Sequence, residues 1–161
     1  MHLPLAVLEQ SCVVVGLMGG LAFARRAGVR VYALLTLPGT LAHELSHYLV
    51  ALVRGLRPAG LSAMPVEQPD GTWQLGQVTL AGAKPLRASL AALAPILLLA
   101  PAWCCGWCAA HSTPAAALAW DLGAAELLMN CTPSRQDLRV ALPGLILVLL
   151  GGLLAWRGWP R

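Results

Sequence analysis

The sequence predicts an all-α membrane protein: about five transmembrane helices, with a small β-hairpin-like loop between the second and third. Three observations lead there. Of the 161 residues, 58% are hydrophobic and 11% are charged, whereas soluble domains carry about a quarter charged residues. Such a chain has too little polar surface to cover itself in water. Five apolar segments recur along it, each near the ~20 residues that a helix needs to cross a bilayer. A single long polar stretch, Arg54–Pro85, interrupts them. The length fits one integral membrane domain over 1–161.

The first segment, Leu3–Ala24, lacks a basic leader, is interrupted by Glu9 and Gln10, and is followed by Arg25 and Arg26. That pattern fits a retained span better than a cleaved signal peptide. The second, Val31–Val53, contains Pro38-Gly39, which either kinks one helix or starts a new one. In the polar stretch, Leu61–Val66 and Thr72–Leu80 are β-capable runs, and Pro69-Asp70-Gly71 between them reads as a turn. The third segment, Leu86–Cys108, ends in Cys105-Gly106-Trp107-Cys108 with His111 beyond. That CxxC is either a redox or metal pair or a set of small residues at a helix end. The odd cysteine count of five and the apolar settings argue against a disulfide framework. The fourth segment, Pro114–Asn130, is the shortest, and Leu138–Trp156 is the fifth.

A net charge of +4 is spread along the chain without a basic cluster. It suits loops facing anionic headgroups and gives no footprint for nucleic acid. Trp103, Trp107, Trp120, Trp156 and Trp159 fall on one side of the predicted topology, as an interfacial belt does.

Chemistry enters in the second segment, as His43-Glu44-Leu45-Ser46-His47. This is the HExxH pattern. Histidines four apart share one helix face and can hold one zinc ion, and the glutamate beside them can act as general base on water that the metal activates. A catalytic zinc usually takes three protein ligands. Topology sorts the candidates for the third. If the second segment ends on the side of the polar loop, the fourth segment ends there too, and Asp137 follows it. His111 and Asp121 fall toward the opposite side. Glu126 lies deeper on the fourth segment and stays open as an alternative to Asp137.

His43–His47 followed by Ala51, Arg54 and Gly55, and then by a strand-like polar loop, resembles the site-2 protease family of intramembrane zinc metalloproteases. In that family a second motif, roughly Asn-x-x-Pro followed by an Asp, supplies the third ligand. Asn130, Pro133 and Asp137 match it, and Ala94-Pro95 resembles the small-residue–proline element between the two motifs. Ser46 stands where the family commonly has glycine, Gln136-Asp137-Leu138 stands for the usual Leu-Asp-Gly, and the Asn130–Asp137 spacing is about one residue short. The likeness covers about Thr36–Asp137. It implies a three-helix catalytic core, about 31–137, with flanking helices 3–24 and 138–156 and a surface loop 54–85.

It further implies one Zn2+ per chain, held by His43, His47 and Asp137. Glu44 would be the general base, and Asn130 would hold the substrate backbone or the developing oxyanion. The activity expected is a zinc metalloendopeptidase of compact form, without a PDZ-like domain. Its partners would be the lipid bilayer and a membrane protein or peptide substrate. The alternative is a non-proteolytic zinc-binding adaptor or degenerate peptidase. Six basic residues on the motif's side against five on the other favour a cytoplasmic-facing site by a narrow margin, in a multi-pass protein of the cell (inner) membrane.

Overall fold

The computed structural model describes residues 5–82 and 84–158. The protein is mostly helical. Helix α1 spans Leu5–Phe23, and a 3-10 turn, Ala24–Ala27, leads to α2, Val29–Leu35, and α3, Leu37–Val53. Gly28, at φ 112°, makes the corner, a conformation that glycine adopts without strain. Arg25 pins it, donating to the Tyr32 hydroxyl at 2.9 Å with its guanidinium 4.6 Å above the ring.

The predicted second span is therefore two helices, parted at Thr36. The Thr36 amide still reaches the Tyr32 carbonyl at 2.9 Å, and the Thr40 amide reaches Thr36 at 2.9 Å. Backbone bonding thus passes through the offset. Pro38 sits in the first turn of α3, where its missing N–H leaves no bond unmade. It begins a helix rather than kinking one.

Four short strands follow: β1, Arg57–Ser62; β2, Val66–Glu67; β3, Trp73–Gln74; and β4, Gln77–Ala81. They form nested antiparallel pairs. Outside, β1 pairs with β4 from Arg57↔Ala81 to Ser62↔Gln77, with an irregularity between Pro58 and Gly60. Inside, Val66 opposes Gln74 and Glu67 opposes Trp73. The expected turn closes the inner pair. Gly71 has φ 76°, and Asp70 accepts from the Thr72 hydroxyl at 2.6 Å and its amide at 3.0 Å. The hydroxyl bond, then the amide bond, hold the Asp70 carboxyl below its usual range.

Helix α4, Pro85–Ala92, continues through a 3-10 segment, Ala94–Leu98, into α5, Leu99–Ala110; α6 is Pro114–Asn130 and α7 is Arg135–Gly158. Three stretches are long and apolar enough to cross a membrane: Val7–Ala27, Leu86–Ala110 and Arg135–Arg157. The second expected span is divided at Thr36, and α6 has 17 residues. As single helices, α2, α3 and α6 are each shorter than these three stretches.

Burial is arranged inside out. Alanines fill the contacts: Ala51, Ala125 and Ala141 have no exposure and Ala91 has 1%. The inside also holds Thr36, Thr40, Glu44, His47, Asp121 and Glu126, while Val53 and Trp103 are 86% and 77% exposed. Small side chains let helices approach closely, and polar groups turned inward with large apolar ones outward suit a lipid surround. A Cβ at Gly39 would overlap the Asn130 amide and the Glu126 carboxylate, so glycine permits the α3–α6 crossing. On the other side, the Ser89 hydroxyl of α4 donates to the Val140 carbonyl and accepts from the Gly144 amide, both at 3.2 Å. These groups flank Pro143 in α7, where proline interrupts the backbone ladder. The bridge ties α7 to α4.

Candidate metal centre

Helix α3 presents His43 and His47 one turn apart, their rings edge to face at 4.8 Å between centroids. The Nε2 atoms are 3.2 Å apart. Asp137, in the first turn of α7, completes a triangle: Oδ2 is 3.4 Å from His43 Nε2 and Oδ1 is 3.3 Å from His47 Nε2. Among the described residues, these three form the group whose ligand atoms converge closely enough to hold a metal ion. Bonds of about 2.0–2.1 Å in a tetrahedron give edges of roughly 3.3–3.4 Å; the His43–His47 edge is 3.2 Å, while Asp137 meets each ring with a different oxygen, and taking one ligand atom from each residue the three lie within 4.8 Å of one another.

The proton positions add to the fit. His43 Nδ1 lies 2.7 Å from the Asn130 carbonyl, and His47 Nδ1 lies 2.7 Å from the Ala91 carbonyl. A carbonyl only accepts, so each Nδ1 carries the hydrogen and donates it. In the neutral rings, Nε2 is then a bare lone pair. Two such lone pairs and a carboxylate facing one another repel unless a metal ion or an added proton lies among them. The same bonds fix ring orientation, as outer partners of metal-bound histidines do. The donor set, two imidazoles and one carboxylate, is one that zinc accepts.

Asp137 is positioned by a capping box. The Ser134 amide donates to Asp137 Oδ2 at 2.7 Å, and the Asp137 amide donates to Ser134 Oγ at 3.1 Å. Ser134 heads α7, so the cap that starts the helix also orients the carboxylate.

Glu126, the other candidate for third ligand, is turned elsewhere. Its Oε2 accepts from the Gly39 amide at 3.2 Å, near the start of α3. Asn130 lines the same cavity as the histidines. Its carbonyl serves His43, and its side-chain amide donates to the Glu126 carbonyl at 2.9 Å. Asp121 accepts from Gln10 of α1 at 3.2 Å, and that amide also donates to the Gly106 carbonyl at 2.7 Å. The His111 ring bonds the Trp107 carbonyl at 2.8 Å, at the end of its own helix. Cys105 and Cys108 are free and half-buried. Glu9 is exposed. Trp159 of the predicted belt lies outside the described residues.

A cavity of about 860 Å3 opens over the triangle, walled by Thr40, Glu44, Trp73, Gly76, Asn130 and Val140 among others. Glu44 is 8% exposed. The backbone between β3 and β4 lies directly on it: a Cβ at Gly76 would come within 2.8 Å of Glu44 Cδ. The polar loop thus roofs the acid. The sequence analysis did not single out Gly76, Ala91 or Ser134 as parts of the site. Two of them act through backbone, and Ser134 acts through a cap.

No family model, no curated protein and no solved structure matches this chain.

Proposed function

We propose that the protein is an intramembrane zinc metalloendopeptidase that hydrolyses peptide bonds of membrane-embedded or membrane-adjacent substrates. The observation that carries this reading is the triangle of His43, His47 and Asp137, with both Nδ1 hydrogens committed to carbonyls and Glu44 on the wall of the cavity above. The resemblance of the HExxH and Asn130–Asp137 segments to the site-2 protease family supports it. So does the placement of these polar groups inside a bundle whose outer surface is apolar. In this reading α1, α2–α3, α4–α5, α6 and α7 make five crossings, in the cell (inner) membrane, with the site toward the cytoplasmic side.

His43, His47 and Asp137 would hold the zinc. When bound, zinc supplies Lewis-acid polarisation of a carbonyl and makes water more acidic. Glu44 takes the proton of the attacking water and delivers it to the leaving amine, so that one carboxylate serves as base and then as acid. The Nδ1 bonds to Asn130 and Ala91 hold the imidazoles in one tautomer throughout. The roof at Gly76 keeps bulk water off Glu44, and a substrate segment enters between this roof and α3. That segment must be unwound, because a helix shields its carbonyls.

The test is Glu44→Gln. Metal analysis is expected to find one zinc per chain in both proteins. Cleavage of a model single-span substrate is expected to fall by roughly 10²-fold or more, the scale of a lost general base. Normal cleavage by Glu44→Gln would remove the base assignment. Stoichiometric zinc with no turnover by the wild type would favour the adaptor reading.

A further inference from the structure

Two threonines stand one turn apart at the head of α3's buried face, and their hydroxyls are used differently. Thr36 is 1% exposed and Thr40 is 5% exposed. The Thr36 hydroxyl donates to the Tyr32 carbonyl, four residues back, at 2.9 Å, as threonine in a helix ordinarily does. The Thr40 hydroxyl has no partner. Among the described residues it is the buried side-chain polar atom left without a hydrogen bond. Leaving a hydroxyl buried and unpaired is costly. Thr40 belongs to the cavity wall that carries His43, Glu44 and His47. It precedes Glu44 by four residues and so lies on the same helix face.

Resting on the peptidase reading, we propose that Thr40 is a substrate-binding residue: its hydroxyl oxygen, covered in this structure, is uncovered as the peptide enters and donates to a main-chain carbonyl of that peptide, one turn from where Glu44 works. The chemistry asks for such a donor. An unwound membrane segment brings carbonyls that have lost their helical partners, and in a dry setting each needs a replacement. The adjoining wall, Ala88, Ala91 and Ala92, offers methyl groups. Any peptide presents a carbonyl, so this contact fixes the register of the chain over Glu44 without selecting its sequence.

Thr40→Val keeps the shape and deletes the hydroxyl; Thr40→Ser keeps the hydroxyl. Detergent-purified proteins are compared by thermal melting, zinc content, and cleavage of a fluorogenic single-span model peptide. Binding of the same peptide is measured in Glu44→Gln with and without Thr40→Val. Thr40→Val is expected to hold full zinc and to melt no lower than wild type, since a methyl replaces an unpaired buried hydroxyl. Its kcat/KM is expected to fall about 10-fold or more, the scale of one lost buried hydrogen bond. Peptide affinity falls with it, and Thr40→Ser stays near wild type. Cleavage by Thr40→Val within about twofold of wild type overturns the proposal and leaves the peptidase reading intact. A drop in melting temperature and zinc that tracks the loss of activity also overturns it, by making the hydroxyl structural. A wild type that holds zinc yet neither binds nor cuts the peptide overturns the peptidase reading, and this proposal with it.

Discussion

Helix α3 delivers two ligands from one rigid element, whereas α7 delivers one from its first turn. The histidine half is clamped from outside. His43 is tied to the last residue of α6 and His47 to Ala91 of α4, so three helices agree on where the rings stand. The aspartate half is held from within, by the cap that begins its own helix. Its distance from α3 is set at one remove, through the Ser89 bridge that seats α7 on α4. A metal would therefore meet a preset pair and an adjustable third partner.

The largest expected effect tests that asymmetry. In His47→Ala, zinc content after dialysis is expected to fall to background, because the pair is broken and the carbonyl of Ala91 loses its donor. In Asp137→Ala the two clamped rings remain, and weak zinc binding is expected to persist at raised metal concentration. Equal and complete loss in both would mean that the histidines are no more preset than the acid. Full retention of zinc in Asp137→Ala would remove Asp137 from the centre altogether.

A second expected effect concerns the clamp on the histidine half. Gly39→Ala places a methyl group against the Asn130 amide and the Glu126 carboxylate. It is expected to destabilise by about 1–3 kcal/mol, as overpacking of a tight contact does. Zinc affinity falls with it, because parting α3 from α6 draws the Asn130 carbonyl from His43. Gly16→Ala is the control, since a Cβ there meets nothing within 4 Å. Parallel thermal melts of the two variants decide it: matching curves would show that the crossing has room to relax.

The same asymmetry marks how far the sequence could be read. The histidine pair and Glu44 were legible because ligand spacing inside one helix is fixed by the helix itself. Asp137 was reachable by counting crossings and by the resemblance of Asn130–Asp137 to a family motif, and Glu126 stayed open because both acids lie near the end of the fourth segment. The contact that separates them, Glu126 on the Gly39 amide, is tertiary. The hairpin turn at Asp70-Gly71 was carried by residue type, but the nesting of its strand pairs was not. The carbonyls of Ala91 and Asn130 could not be foreseen, since any residue has a carbonyl. Nor could the approach of Gly76 to Glu44, which depends on where a loop folds back. Ser134 is a different case. A serine three residues before an acid, ahead of an apolar run, is a helix-start signature, present in the sequence and absent from the expectations drawn from it.

That signature gives the smallest effect and the finest distinction. Ser134→Ala removes the acceptor of the Asp137 amide and leaves the Ser134 backbone donor on Oδ2. The loss of the cap is expected to cost about 1 kcal/mol of stability. Zinc affinity, measured by competition with a chelator, is expected to weaken by roughly 10-fold, as for other outer-partner losses. Ser134→Asn, which can still cap, is expected to recover most of both. If zinc affinity in Ser134→Ala falls as far as in Asp137→Ala, the cap alone holds the carboxylate in place. If it does not fall at all, the docking of α7 on α4 through Ser89 suffices, and the aspartate half is as firmly preset as the histidine half.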